Sequence, residues 1–526
     1  MLRIHNVKVK LGQTNYSKIL SQVLNIREKE IKEVHLSKRS VDARRKVVHW
    51  ICSFDFEVQD EDKLLQKHPQ LQRVKPYHYQ YLSAHHKQNV VVVGSGPAGL
   101  FCAYVLAHSG QNITVIERGK KVEERIKDVD RLLLQGILNP DSNIAFGEGG
   151  AGTFSDGKLT TGIKNVRLQY ILETFVKHGA PEDIMYDSKP HIGTDYLRKV
   201  LISMRETMEK KGVHFLFETQ MTDFQYQNDQ YQIQTLHAHQ QQTIVADALV
   251  LAIGHSARDT YEMLYHKGLP MLAKPFAVGL RIEQSQAKIN QIQYKQSATS
   301  PYLKAAPYKL AVQTSEGRGV YTFCMCPGGY VVPSQHEEKT LCVNGMSYYA
   351  RDGKNANSAI LVNVTPEDFK SSHPLAGIEF QRQLERKAFL LGGGNYQAPV
   401  QRVADYLDNQ LGTLNEIIPS FQFGYHLANL NELFPEFINR NLKEGLQLMN
   451  QKMPGFIDEA TILTGVEARS SAPVRIVRNE LLQSDFATRL YPIGEGAGYA
   501  GGIMSAAVDG IMCAEMILRE DQHGSN

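Results

Sequence analysis

The chain has 526 residues, 42% hydrophobic and 21% charged, with a formal net charge of +3. That balance excludes disorder as the expected state and, at about 100–200 residues per domain, allows three or four folded domains. Bulk charge gives no case for nucleic acid, six scattered cysteines make no disulfide framework, and no apolar run approaches the ~20 residues of a membrane span.

Residues 1–85 predict a small α+β domain. LRIHNVKVK alternates like a strand, Tyr16 to Val23 is helical, and VVHWICSFDFEV alternates again. The first fifty residues carry twelve Lys and Arg against four Asp and Glu. Two readings fit this excess. Lys38, Arg39, Arg44, Arg45 and Lys46 attract an anionic partner such as RNA, or they form a solvated basic face. The solvated face is the reading adopted, so nucleic acid is not the expected partner. MLRIHNVKVK has no apolar signal core, and a reducing cytoplasm is the expected location.

Residues 86–273 open a nucleotide-binding domain. Val90 to Val93 form a β-branched run suited to a parallel strand buried on both faces. GSGPAG follows at once. Gly94 allows the tight turn, Gly96 lets the backbone approach a pyrophosphate, and Gly99 lets the helix pack on the strand. Ser95, Pro97 and Ala98 fill the turn between them. The helix N-terminus then faces phosphates with free N–H groups. Ile113 to Ile116 form the next strand, and Glu117 after it is placed to accept hydrogen bonds from ribose hydroxyls. Strand, turn, helix, strand and acid in that order predict a dinucleotide. NAD fits this fingerprint as well as FAD does. Three features favour FAD: Pro97–Ala98 with Glu117–Arg118 resemble flavoprotein fingerprints, as do ALVLAIG ending at Gly254 and the late IGEGAG with Gly494 and Glu495.

IAFGEGGAGTFSDGKLTTGI is dense in glycine. Gly147, Gly149, Gly150, Gly152 and Gly157 serve neither helix nor strand, where each costs about 1 kcal/mol. They predict a loop wrapped around a ligand, with Thr153, Ser155, Asp156 and Lys158 adding polar atoms. Lys158 either stabilises a reduced, anionic flavin or simply pairs with Asp156 or water. His255 is either a proton donor or a turn histidine.

Residues 274–456 predict a substrate domain inserted into the nucleotide domain. Cys324 and Cys326, in VYTFCMCPGGYVVP, sit at i and i+2 and share one strand face. They face the flavin, form a redox pair, or are small buried hydrophobes. Two thiols are too few for zinc, and no metal is expected. Pro327, Gly328 and Gly329 predict a hairpin turn. Residues 457–526 return to the first sheet, with Gly502 and Ile503 opening the last helix. Arg469, Arg475 and Arg478 hold a substrate carboxylate or phosphate, or they bridge domains. LLGGGNYQAP lacks the strand and acid of a second dinucleotide unit, so any NAD(P)H acts as an external donor.

Along the chain, KRSVDARRK, VVGSGPAGLFCAYVLAHSG, FGEGGAGTFSDGKLTT, KPFAVGLRIE, GVYTFCMCPGGYVV and GEGAGYAGGIMSAAVDGI resemble the FAD-dependent dehydrogenase family of bacteria and plastids. The resemblance extends from residue 38 to 511. It implies non-covalent FAD in a glutathione-reductase-type fold close to the geranylgeranyl reductases, and a dehydrogenase whose small-molecule substrate and oligomeric state are unnamed. The expected class is α/β: a Rossmann-like FAD domain, an inserted α+β substrate domain and a small N-terminal α+β domain. The expected function is an FAD-dependent oxidoreductase that transfers hydride. The alternatives are a flavin-dependent RNA-modifying enzyme and a flavin-binding regulator without turnover.

Overall fold

The computed structural model describes residues 1–75 and 77–523. The β-branched run Asn89–Val93 forms the centre of a five-stranded sheet. The spatial order is Leu490–Pro492, Ala248–Leu251, Asn89–Val93, Asn112–Ile116 and His214–Leu216. Every pairing in it is parallel. Val90 to Val93 are buried, as a strand covered on both faces must be. The edge strand Leu490–Pro492 comes from the C-terminal stretch, so the chain does return to its first sheet. This is a Rossmann-like α/β architecture.

Two helices, Pro97–His108 and Ile503–His523, pack against each other beside this sheet. Gly510 permits the contact: a Cβ there would lie 2.1 Å from the carbonyl oxygen of Ala98. That closeness draws the start of the last helix toward the first glycine turn.

A second, seven-stranded sheet follows the order Ala311–Gln313, Gly319–Cys326, Asn355–Val364, Phe276–Ser285, Ile462–Glu467, Ala398–Arg402 and Tyr425–Leu427. Its central strand Phe276–Ser285 is buried along nearly its whole length. Ile462–Glu467, beyond residue 456, belongs to this sheet. The hairpin expected at Pro327–Gly329 does not form. Gly328 has φ +48°, and a Cβ there would lie 1.9 Å from Arg351 O, so the chain turns away from its own strand. Tyr330–Pro333 pairs instead with Val343–Met346. A three-stranded antiparallel sheet spans Thr219–Ala246.

The N-terminal residues form a four-stranded antiparallel sheet ordered Ile31–Asp42, His49–Val58, Leu2–Lys10 and Gln72–Arg73. The alternating apolar residues Leu2, Ile4, Phe54 and Phe56 build its core with Leu20 and Leu24 of the helix Tyr16–Leu24. Arg39 docks this unit on the segment Tyr186–Ser188. Its N–H donates to Tyr186 O at 2.6 Å, and Ser188 N–H donates to its carbonyl at 2.8 Å. Its guanidinium pairs with Asp187 and lies over the rings of Trp50 and Tyr186. Arg44 pairs with Asp42. The run expected as a uniformly solvated basic face therefore has Arg39 committed to an internal interface.

Among the described residues no helix is long and apolar enough to cross a membrane. Inside the first core, His178 is held by the Tyr104 hydroxyl at 3.0 Å and the Ser203 hydroxyl at 2.9 Å. Burial, then Lys177, pushes its pKa down from 6.5 to about 4. The unfolded chain takes up this proton below pH 6.5 and the folded chain does not until about pH 4, so stability falls across that window as pH falls. Thermal melts should show this loss. His178→Gln should cost about 1–2 kcal/mol at neutral pH through the two weakened bonds, yet lose less on acidification.

Candidate functional site

One cleft, with a cavity volume of about 680 Å³, is bounded by both glycine bends. Gly94, Gly96, Pro97 and Ala98 line it from the early bend, and Gly494, Gly502 and Ile503 line it from the late one. The bends touch: a Cβ on Gly494 would lie 2.7 Å from the Cβ of Ala98. The volume lies near the middle of the range for ligand and cofactor pockets.

Each early glycine answers a separate demand. Gly94 has φ +104°, and an added Cβ would lie 2.3 Å from Ala252 O. Gly99 supports the helix on its strand, since a Cβ there would lie 1.9 Å from Gly94 O. Gly96 is different. Its Cβ would meet only Gly150 Cα, at 4.0 Å, so protein packing does not require it to be glycine. No side chain caps the helix that starts at Pro97, and its first N–H groups remain available to an anion. A bare backbone with uncapped helix N–H groups fits the diphosphate of a dinucleotide.

Glu117 is buried at the end of its strand. Ser95 N–H and hydroxyl donate to Oε2 at 3.0 and 2.7 Å, and the N–H groups of Gly119 and Gly147 donate to Oε1 at 2.9 and 3.0 Å. Glu117 also lines the cleft, where the sequence places the ribose hydroxyls. Arg118 lines the cleft, forms a two-point pair with Asp259, and lies over the ring of Phe146 at 4.4 Å.

The glycine-rich loop forms the facing wall. Gly150, Gly152, Ser155, Gly157 and Lys158 line the cleft. Gly149 N–H donates to Ser95 O at 2.9 Å and ties the loop to the early bend. Thr153 turns inward, its hydroxyl donating to Glu148 O. Ser95, Gly99 and Thr153 thus stand behind the wall rather than in it.

Sequence reasoning missed the residue that shapes this loop. Arg125 is fully buried and donates to the carbonyls of Asn143, Ile144 and Glu148 at 2.8, 3.0 and 2.6 Å. Burial pushes it down to about 9 against the pull of Glu117 and Glu148. The only sequence signal is an arginine on the apolar face of the helix Val122–Gln135. Gly119 was missed as well; its Cβ would lie 2.6 Å from Gly147.

Lys158 meets three partners at the cleft. Its Nζ is 3.4 Å from Asp156 Oδ2, 3.8 Å from Cys324 Sγ and 3.7 Å from Cys326 Sγ. Burial works against the ammonium, but Cys324, Cys326 and Asp156 outweigh it and raise its pKa. Asp156 is also gripped by Arg351, at 2.5 and 3.1 Å. Burial opposes its charge, yet Lys158 and Arg351 hold its carboxyl well below the usual range. Behind the thiols, fully buried Arg281 donates to Glu467 at 2.5 Å, to Cys324 O at 2.7 Å and to Cys326 Sγ at 3.8 Å. The hydrogen bond from Cys326 is the largest cause that lowers Cys324, to about 6, and Lys158 and Arg281 add to it.

Gly254, His255, Glu495 and Arg469 also line the cleft. His255 Nδ1 lies 3.3 Å from Glu495 Oε1. The three arginines do not converge. Arg469 contacts His336 and Ser256 and lies 3.5 Å from Glu385. Arg478 makes a two-point pair with Asp509 and stacks on Tyr499. Arg475 points outward from the strand Val474–Ile476 over the same ring. Only Arg475 lies on that strand; Arg469 precedes it and Arg478 follows it, so the three point to different places. Neither Arg475 nor Arg478 lines the cleft.

Three family profiles match this chain: "FAD-dependent protein, C-terminal domain-like" over residues 275–470, "FAD binding domain" over 89–125, and a domain of unknown function over 1–57. An uncharacterized protein of Clostridium beijerinckii is 44% identical over 534 residues, covering 99% of each chain. Among solved structures, the flavin-dependent halogenase CmlS is 12% identical over 84% of this chain and 60% of its own, with a TM-score of 0.39. A geranylgeranyl bacteriochlorophyll reductase-like protein of Thermoplasma acidophilum is 13% identical over 84% of this chain and 79% of its own, with a TM-score of 0.35.

The two glycines make opposite predictions. Gly96→Ala should fold and melt like the parent but bind FAD at least about tenfold more weakly, a loss of ~1.4 kcal/mol in fluorescence titration. Gly99→Ala should fail to fold stably. Separately, iodoacetamide labelling of Cys324 in the apoprotein, read by peptide mass spectrometry, should reach half its maximal rate near pH 6 rather than near the ordinary 9.0.

Proposed function

The chain belongs to the family of FAD-dependent proteins and its cofactor is FAD, and on that premise we propose that it is an FAD-dependent oxidoreductase acting on a small molecule. The observation that carries this reading is the shared cleft. Two bends some 400 positions apart, at Gly94–Gly99 and Gly494–Gly502, open on one cavity that also exposes Lys158 and the thiol of Cys324. A nucleotide-binding module alone does not require Lys158, Cys324 and His255 on the same wall.

In this reading FAD is held without a covalent bond. Gly94, Gly96 and the helix starting at Pro97 bind the diphosphate, and the helix starting at Ile503 faces the redox ring. Bound FAD supplies two-electron chemistry, and the protein supplies position and field. Gly150 and Gly152 close the cradle with backbone alone. Lys158 keeps a positive charge on the cleft wall, which stabilises the reduced, anionic state. His255 and Glu495 form a proton-holding pair. Exposed Lys189 and Lys309 stand on the cleft wall where a substrate enters and favour one with negative charge. NADH or NADPH acts as a diffusible donor.

The test is anaerobic. Purified holoprotein is mixed with NADH, with NADPH and with a metabolite extract, and the flavin spectrum is followed. Bleaching by one donor and recovery with one extract fraction supports turnover; a flavin that no donor or acceptor changes defeats the reading. Lys158→Met should lower the flavin midpoint potential by roughly 30–60 mV, where 30 mV corresponds to about 1.4 kcal/mol for two electrons.

A further inference from the structure

We propose that Cys324 and Cys326 are a second redox centre, a dithiol that closes to a disulfide as two electrons pass to the bound FAD. The proposal rests on the oxidoreductase reading above and extends it to the chain's own thiols.

The backbone is built to bring both sulfurs to one cation. Strand Gly319–Cys326 pairs Phe323 with Ala359 and Cys326 with Asn357, so one extra residue bulges out between them. Cys324 takes φ +46°, a left-handed conformation that a non-glycine residue rarely adopts. In a regular strand the two side chains would stand apart on one face. Here both sulfurs lie within 3.8 Å of a single atom, Lys158 Nζ, and Cys326 Sγ donates to the Cys324 carbonyl at 3.2 Å. Cys324 lines the cofactor cleft, and Cys326 is buried behind it. That order suits an outer thiol that faces the reaction and an inner thiol that resolves it.

The charges divide the labour in the same way. Lys158 and Arg281 flank the pair, and Cys324 is lowered while Cys326 is raised well above an ordinary thiol, chiefly by its hydrogen bond to Cys324. Cys326 keeps its proton in the bond to the Cys324 carbonyl, and the ammonium of Lys158 favours the thiolate on the outer Cys324. Cys52, Cys342 and Cys513 have no such setting; burial pushes each of them up. In the forward step the Cys324 thiolate and the Cys326 thiol lose two electrons and one proton. A sulfur–sulfur bond forms, the sulfur–hydrogen bond of Cys326 breaks, and FAD becomes its reduced anion. Charge and hydrogen balance across the step, and Lys158 stays beside the site throughout.

The holoprotein tests this directly. Fully oxidised protein, denatured in acid and assayed for thiols, should show four of its six cysteines free, with a Cys324–Cys326 crosslink in one peptide; after reduction all six should be free. Anaerobic dithionite titration should take about four electrons per FAD in the parent and about two in Cys324→Ser and Cys326→Ser, which keep a bound-flavin spectrum. Six free thiols in the oxidised protein, or two electrons in the parent, overturn the proposal. The thiol count needs no variant, so a misfolded mutant does not blunt it. Full two-electron flavin reduction with six persistent thiols would defeat the dithiol alone. A flavin inert to every physiological donor would defeat the oxidoreductase reading, while the thiol count in defined thiol–disulfide buffers still judges the pair.

Discussion

The cradle depends on one carboxylate. Glu117 closes the strand Asn112–Ile116 and receives four hydrogen bonds, from Ser95, Gly119 and Gly147. Those donors belong to the early bend, to the residue where the second strand gives way to loop, and to the glycine-rich loop. A carboxylate accepts at about four positions and donates at none, which is what a junction of converging N–H groups demands. The same buried carboxylate helps Arg125 to hold its charge in a site closed to the surface. Together they fix where the loop 143–153 runs, and that loop is the wall facing the helix at Pro97.

The local part of this site was readable from the amino acids. Strand, glycine turn and helix are contiguous, so the 94–117 fingerprint carries its own geometry. The late bend was readable for the same reason. What escaped were residues whose meaning lies in a distant partner. Gly510 matters because Ala98 is pressed against it, and Arg125 because three carbonyls sit around it. Neither partner is near in sequence. Glu117 was found from the fingerprint and does line the cleft; its bonds to Gly119 and Gly147, which tie the loop to the strand, were not foreseen.

The opposite error came from reading sequence proximity as spatial convergence. Arg469, Arg475 and Arg478 look like one cluster, yet they go to the cleft, to the surface and to Asp509, with only Arg475 on the short strand between them. Cys324 and Cys326 were placed on one face by the period of a regular strand. They do come together, but through a bulge and a left-handed residue that the pattern does not encode. Pro327–Gly329 was read as a hairpin because Pro-Gly-Gly turns chains; it does turn this one, toward a different neighbour.

The cleft draws its walls from near residues 94, 117, 150, 254, 324 and 494. No early fragment of the chain contains it, so a growing polypeptide cannot load its cofactor until the last helix has arrived. Ligand that binds only the finished fold stabilises that fold by mass action, at about 2.7 kcal/mol when free ligand is a hundredfold above Kd. Protein short of FAD is therefore the less stable protein, and loss of the cofactor reaches it first as a lower melting temperature.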